Sequence, residues 1–154
     1  MHDLPFRLKG EVVKGFGRGG KELGIPTANF SDYVVDNCLP KSIQQGIYFG
    51  WASLNGKRPP LKMVTSVGWN PFYQNTKRSI ETHILQHFEE DFYGEELRIV
   101  CVGYIRDEAD FESVEELIGA IQKDIEVSRK ALEENFSHFK EDNFLFDEGD
   151  TSRN

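Results

Sequence analysis

The sequence is poor in the features that mark exported, membrane-embedded or nucleic-acid-coating proteins. It has two cysteines, Cys38 and Cys101, and no Cys-x-x-Cys pair. That argues against a disulfide scaffold and against structural zinc, and it favours a reducing, cytoplasmic compartment. No apolar run approaches the length of a membrane span. The opening Met1-His2-Asp3-Leu4-Pro5-Phe6-Arg7 has no apolar stretch of the signal-peptide kind. Positive charge is also short, with 18 Lys and Arg against 26 Asp and Glu and a net charge of −8. A protein that coats polymeric phosphate is normally basic. The expected partners are therefore small molecules, without nucleic acid or membrane, and the expected state is a monomer. No internal repeat or linker divides the chain, so residues 1–154 read as one domain.

What is abundant is short β-type segments. Runs rich in β-branched and aromatic residues, separated by Gly, Pro and Asn, predict strands over Gly10–Val13, Gly46–Leu54, Leu61–Trp69, Ser79–Phe88 and Leu97–Ile105. Asn55-Gly56 between two of them predicts a tight turn with positive φ. Several strands without intervening helices favour a barrel or sandwich. After Asp110 the period changes. Ser113 with Glu116 forms a capping box, and Val114, Leu117, Ile118, Ile121, Ile125 and Leu132 recur at helical spacing. This predicts one long C-terminal amphipathic helix. The polar segment from Asn143 to Asn154 reads as a frayed tail.

The densest concentration of chemistry is Gly15-Phe-Gly-Arg-Gly-Gly-Lys-Glu-Leu-Gly-Ile-Pro-Thr-Ala-Asn29. So bare a backbone can approach a ligand closely and turn its N–H groups toward it. Lys14, Arg18 and Lys21 make a local basic spot in an acidic chain, suited to a small anion. The segment also fits two familiar nucleotide patterns by spacing, Gly15-x-Gly17-x-x-Gly20 and Gly15-x-x-x-x-Gly20-Lys21. Both require a helix directly after the loop. Glu22 stands where the second needs Ser or Thr, and Pro26 would break such a helix. The loop runs instead into Pro26-Thr27-Ala28-Asn29. In an extended segment Thr27 and Asn29 point the same way and offer two neutral oxygens to one hard cation. The segment reads as a nucleotide-phosphate and metal loop, with a flexible surface loop as the plain alternative.

The string Val13-Lys14-Gly15 … Arg18-Gly19 … Leu23-Gly24-Ile25-Pro26-Thr27-Ala28-Asn29 resembles the ATP- and Mg²⁺-binding motif of riboflavin kinases, also called flavokinases. The likeness continues in Gly46-Ile47-Tyr48-Phe49-Gly50-Trp51-Ala52, Ser66-Val67-Gly68-Trp69-Asn70-Pro71, Glu81-Thr82-His83-Ile84 and Asp91-Phe92-Tyr93-Gly94. It runs from about Leu4 to Phe144 and looks like the eukaryotic, monofunctional form. The resemblance implies a closed six-stranded antiparallel Greek-key β-barrel with a C-terminal α-helix, Glu81 being part of its catalytic motif. It implies transfer of the ATP γ-phosphoryl group to the riboflavin 5′-hydroxyl, giving FMN and ADP, with Mg²⁺ and, as alternatives, Zn²⁺ or Mn²⁺.

By the same resemblance Gly15, Lys21, Thr27, Asn29 and Tyr93 contact ATP, with Thr27 and Asn29 also holding the metal. Glu81 matches the family's catalytic glutamate and would accept the proton of the acceptor hydroxyl; Arg106, Ala109 and Phe111 join it around the flavin. Asp124 is a further candidate for a ribityl hydroxyl. Read from the residues alone, Arg106 and Phe111 serve equally as a surface cation and a core aromatic. On a strand, Glu81 and His83 share one face, while Ile80, Thr82 and Ile84 share the other. His83 and His87, four apart, would ligate a metal only on a helix, which this β-pattern opposes. The rival classes are a non-catalytic flavin- or nucleotide-binding barrel and a β-domain whose glycine loop binds a protein.

Overall fold

The computed structural model describes residues 4–13, 27–69, 78–86, 93–107 and 109–146. Six antiparallel strands close into a barrel: β1 (Phe6–Val13), β2 (Thr27–Phe30), β3 (Gly46–Leu54), β4 (Leu61–Trp69), β5 (Arg78–Ile84) and β6 (Glu96–Arg106). Their order around the barrel is β1-β2-β5-β4-β3-β6. The meander β3-β4-β5, with β6 returning beside β3, is a Greek key. β3 and β4 keep the bounds expected from sequence. The turn between them has φ of 57° at Asn55 and 69° at Gly56, the conformation those residue types tolerate best.

The period of two divides each strand between two environments. Inward-facing Leu8, Tyr48, Met63, Ile80, Ile84, Leu97 and Ile99 are nearly or fully inaccessible and fill the barrel. The interior is therefore solid, and it holds no room for a ligand. On the outer wall, Phe49, Trp51, Val100 and Val102 are buried too, because Leu132, Leu145 and Phe146 pack over them. Gly103 allows this closeness, since an added Cβ there would lie 2.1 Å from a Phe49 ring carbon. Burial on both faces explains why β3 reads as an almost unbroken apolar run rather than an alternating one.

Two helices complete the layer structure. α1 (Asp32–Cys38) is capped by Ser31, whose hydroxyl accepts from Val34 N at 3.3 Å, and it delivers Val34 and Val35 to the barrel core. Sequence periodicity does not announce it. Its seven residues are too few to show a helical period. α2 (Val114–Glu134) starts where Ser113 and Glu116 predict. Ser113 Oγ accepts from Glu116 N at 3.1 Å, and Glu116 reaches back to Glu112 N at 3.1 Å. Its buried face is Ile121, Asp124, Ser128 and Leu132.

Three expectations need correction. β1 begins at Phe6, not Gly10, because Phe6 and Leu8 alternate into the core while Arg7 and Lys9 face water. β5 ends at Ile84, short of Phe88. The segment after Asn143 is not frayed as far as Phe146. Residues Ser137–Glu141 and Asn143–Leu145 form two 3₁₀ turns, Leu145 is fully buried, and Ser53 Oγ donates to Leu145 O at 2.5 Å. A polar composition hid two apolar anchors, Leu145 and Phe146.

Candidate active site

The working cavity lies outside the barrel, between its wall and α2. It measures about 610 Å³. Its floor comes from register. Asn29 opposes Glu81, Glu81 opposes Ser66, Ser66 opposes Ile47 and Ile47 opposes Arg106. Directly paired residues share a face of a sheet, so these five side chains form one row across β2, β5, β4, β3 and β6. A second row runs Thr27, His83, Val64, Phe49 and Gly103. Ile47, Val64, Ser66, Glu81, His83 and Arg106 line the cavity.

The opposite wall is built from α2 and the segment before it. Val114, Leu117, Ile121 and Asp124 recur at helical spacing and face the cavity. Ala109, Asp110, Phe111 and Glu112 form its lip. The segment is anchored at both ends. Tyr104 Oη donates to Asp107 at one, and the capping bonds of Ser113 and Glu116 close the other. The Arg106 guanidinium grips both oxygens of Asp124, with Nε to Oδ1 at 3.1 Å and Nη2 to Oδ2 at 2.8 Å, while Nη1 donates to Asp107 O. Its Cζ stands 5.8 Å from the centre of the Phe111 ring, within cation–π range. This pair explains how the buried face of α2 accommodates an aspartate. Ser128 Oγ donates to Asp124 O at 2.6 Å, which also satisfies the other buried polar residue of that face.

The catalytic candidates sit on the floor. The Glu81 side chain is 14% exposed. Its Oε1 is 3.9 Å from His83 Nε2, too long for a direct hydrogen bond. His83 Nδ1 lies 3.3 Å from Thr27 Oγ1. Burial disfavours the charged imidazole and pushes its pKa down to about 4, so the ring is neutral at pH 7. Glu81 thus faces the cavity beside an uncharged neighbour.

Of the residues singled out from sequence, the structure brings Glu81, Arg106, Ala109, Phe111 and Asp124 to one cavity. Thr27 and Asn29 flank it on β2, opposite His83 and Glu81. Tyr93 is not part of it. It is 44% exposed in the turn before β6, where Gly94 N donates to Val12 O at 2.9 Å. Gly15 and Lys21, with Lys14 and Arg18, lie outside the described residues. Ser66 was missed as a site residue, although it is the uncharged polar member of the outward set Lys62, Val64 and Ser66 on β4.

A barrel packed with side chains, with a cavity on its wall, a carboxylate on the cavity floor and an ion pair beside its lip, defines a small-molecule enzyme of the β-barrel class. The flavokinase (riboflavin kinase) family model matches residues 2–132, and the chain belongs to that family. Human riboflavin kinase is 58% identical over 146 residues, which span 94% of this chain and 93% of its own. The crystal structure of riboflavin kinase from Trypanosoma brucei superposes with a TM-score of 0.66 at 27% identity, over 88% of this chain and 85% of that one. A crystal structure described as a macrolide-efflux protein from Streptococcus pneumoniae shares the fold at TM-score 0.64 and 29% identity, over 81% of this chain and 38% of that one.

Proposed function

We propose that this chain transfers the γ-phosphoryl group of ATP to the 5′-hydroxyl of riboflavin, giving FMN and ADP. The observation that carries the reading is the register of β2 on β5, which sets Asn29 opposite Glu81 and Thr27 opposite His83 at the edge of the cavity. Phosphoryl transfer asks mainly for positioning and charge neutralisation, plus a group to receive the acceptor's proton. Family membership and this juxtaposition support all three.

The roles rest on the chemistry. Riboflavin occupies the cavity, with its ring system between the Phe111–Arg106 lip and the apolar stretch Val64, Leu117 and Ile121. Asp124 orients Arg106 and is the acidic residue of α2 that lines the cavity, placed to meet the ribityl chain. Glu81 takes the proton from the 5′-hydroxyl as the new O–P bond forms. Gly15, Lys21 and the glycine backbone around them hold the phosphates of ATP, and Tyr93 contacts the nucleotide. The whole of 1–154 acts as one riboflavin kinase domain, monomeric and cytoplasmic. The free thiols of Cys38 and Cys101 suit that compartment.

Thr27 and Asn29 fit a hard divalent cation. They are neutral oxygen donors on one face of β2, and among the described residues no group of three or more His, Cys, Asp or Glu competes for such an ion. Two neutral donors leave the remaining positions to water and to the phosphates of ATP, both of which Mg²⁺ retains in its shell. The bound ion would neutralise phosphate charge. Mg²⁺ is the first choice, and a metal titration ranks it against Zn²⁺ and Mn²⁺.

The test is to mix protein, MgATP and riboflavin and separate the flavins by chromatography. FMN above a no-protein control is expected. Folded protein that yields none removes the kinase reading and leaves the non-catalytic barrel.

A further inference from the structure

His83 is buried between the two halves of the candidate site, and the chemistry above does not use it. It is 6% exposed, yet its ring borders the cavity. Each ring nitrogen has a different neighbour. Nδ1 is 3.3 Å from Thr27 Oγ1 on β2, and Nε2 is 3.9 Å from Glu81 Oε1 on its own strand. The backbone places them there. Thr27 pairs with His83, Asn29 pairs with Glu81, and Val64 pairs with His83 from the other side. The imidazole is therefore wedged at a fixed point of three bonded strands.

We propose that His83 is a positioning residue that holds the Thr27 hydroxyl with one ring nitrogen and the Glu81 carboxylate with the other, fixing the proton acceptor relative to the phosphate side of the site. The assignment rests on the kinase reading above for the meaning of those two neighbours. On this assignment the Thr27 hydroxyl donates to Nδ1, and the ring proton sits on Nε2 and points toward Glu81. The hydroxyl donates through its hydrogen, which leaves its oxygen lone pairs turned to other ligands. The 3.9 Å separation from Glu81 needs a shift of about 1 Å to become a hydrogen bond, the tightening expected as a site closes on substrate. A histidine that merely filled space would need neither neighbour.

Two isosteric variants separate the contacts. The amide of His83→Asn ends near Nδ1 and that of His83→Gln ends near Nε2. We expect His83→Asn to lower kcat about tenfold while the KM for MgATP stays within about twofold. We expect His83→Gln to keep kcat within about threefold and to raise the KM for MgATP about fivefold. Equal changes in both variants, or no change in either, would overturn the proposal. A measurement on the unmodified protein guards against variants that do not fold. The ¹⁵N shifts of the His83 ring at pH 7 should report the Nε2–H tautomer, and an Nδ1–H tautomer overturns the assignment. Failure of the unmodified protein to form FMN would instead count against the kinase reading, and the tautomer result would still decide the hydrogen-bond pattern.

Discussion

Arg106 and Asp124 meet as a two-pronged ion pair, at 3.1 and 2.8 Å, joining the end of β6 to the middle of α2 across the mouth of the cavity. The Asp124 side chain is 5% exposed and that of Arg106 is 29% exposed. Removing the carboxylate charge leaves the Arg106 guanidinium a single neutral amide oxygen in place of two charged ones. Asp124→Asn is expected to lower stability by about 2 kcal/mol in urea titration, the scale of a hydrogen bond to a charged group. It should also raise the riboflavin KM about tenfold, since Arg106 is then free to leave Phe111. An unchanged KM with reduced stability would make the pair purely structural.

Glu81→Gln keeps the size of the side chain and abolishes its basicity. Turnover should fall by about two to four orders of magnitude, the usual contribution of a general base. Nucleotide binding, followed by the thermal shift with MgADP, should stay near that of the unmodified protein. Turnover within a few-fold would show that the hydroxyl loses its proton elsewhere.

Thr27→Ala and Asn29→Ala each delete one neutral oxygen at the β2 end of the rows that make the cavity floor. The Mg²⁺ concentration for half-maximal rate should rise several-fold in either variant, on the order of one weakened ligand or about 1 kcal/mol. Saturating Mg²⁺ should restore most of the rate. A superimposable metal titration would take that residue out of the ion's shell.

The Arg7–Asp142 pair supplies a pH dependence. Burial pushes the Asp142 carboxyl up, but the Arg7 hydrogen bonds, the Phe144 N–H and the Arg7 charge outweigh it and hold the group below its usual range. A carboxyl whose folded pKa is depressed contributes stability above its unfolded value, near 3.8, and that contribution disappears as pH falls through the folded value. Asp142→Asn should therefore be less stable than the parent at pH 7, with the gap closing below about pH 4. Acid unfolding followed by circular dichroism checks this. A gap that is constant with pH would assign the loss to the cap on Phe144 N rather than to charge.

The strands and the long helix were legible because their signals are local. Asn55-Gly56 sets a turn, β-branched and aromatic runs bounded by Gly, Pro and Asn set β3 and β4, and Ser113 with Glu116 starts α2. The floor of the site was half legible. Period two puts Glu81 and His83 on one face, but nothing local says that this face meets Thr27, Asn29 and Ser66. That information resides in pairings between residues more than fifty apart, such as Asn29 with Glu81. Asp124 and Ser128 are polar residues on the buried face of α2. Their polarity argues for solvent, and only a guanidinium from another element makes an aspartate tolerable there. Leu145 and Phe146 were hidden by acidic neighbours that outweigh them in composition but not in burial.

The row from Asn29 to Arg106 crosses β2, β5, β4, β3 and β6 without using neighbours in chain order for its first or last step. No hairpin and no meander of consecutive strands contains it. A chain that has made its meander but not yet seated β2 and β6 lacks both ends of the row, however native its local structure. Recognition of substrate in this sense reports on long-range assembly: only a chain with β2 and β6 both seated presents the binding surface, and ligand added during refolding protects those molecules alone.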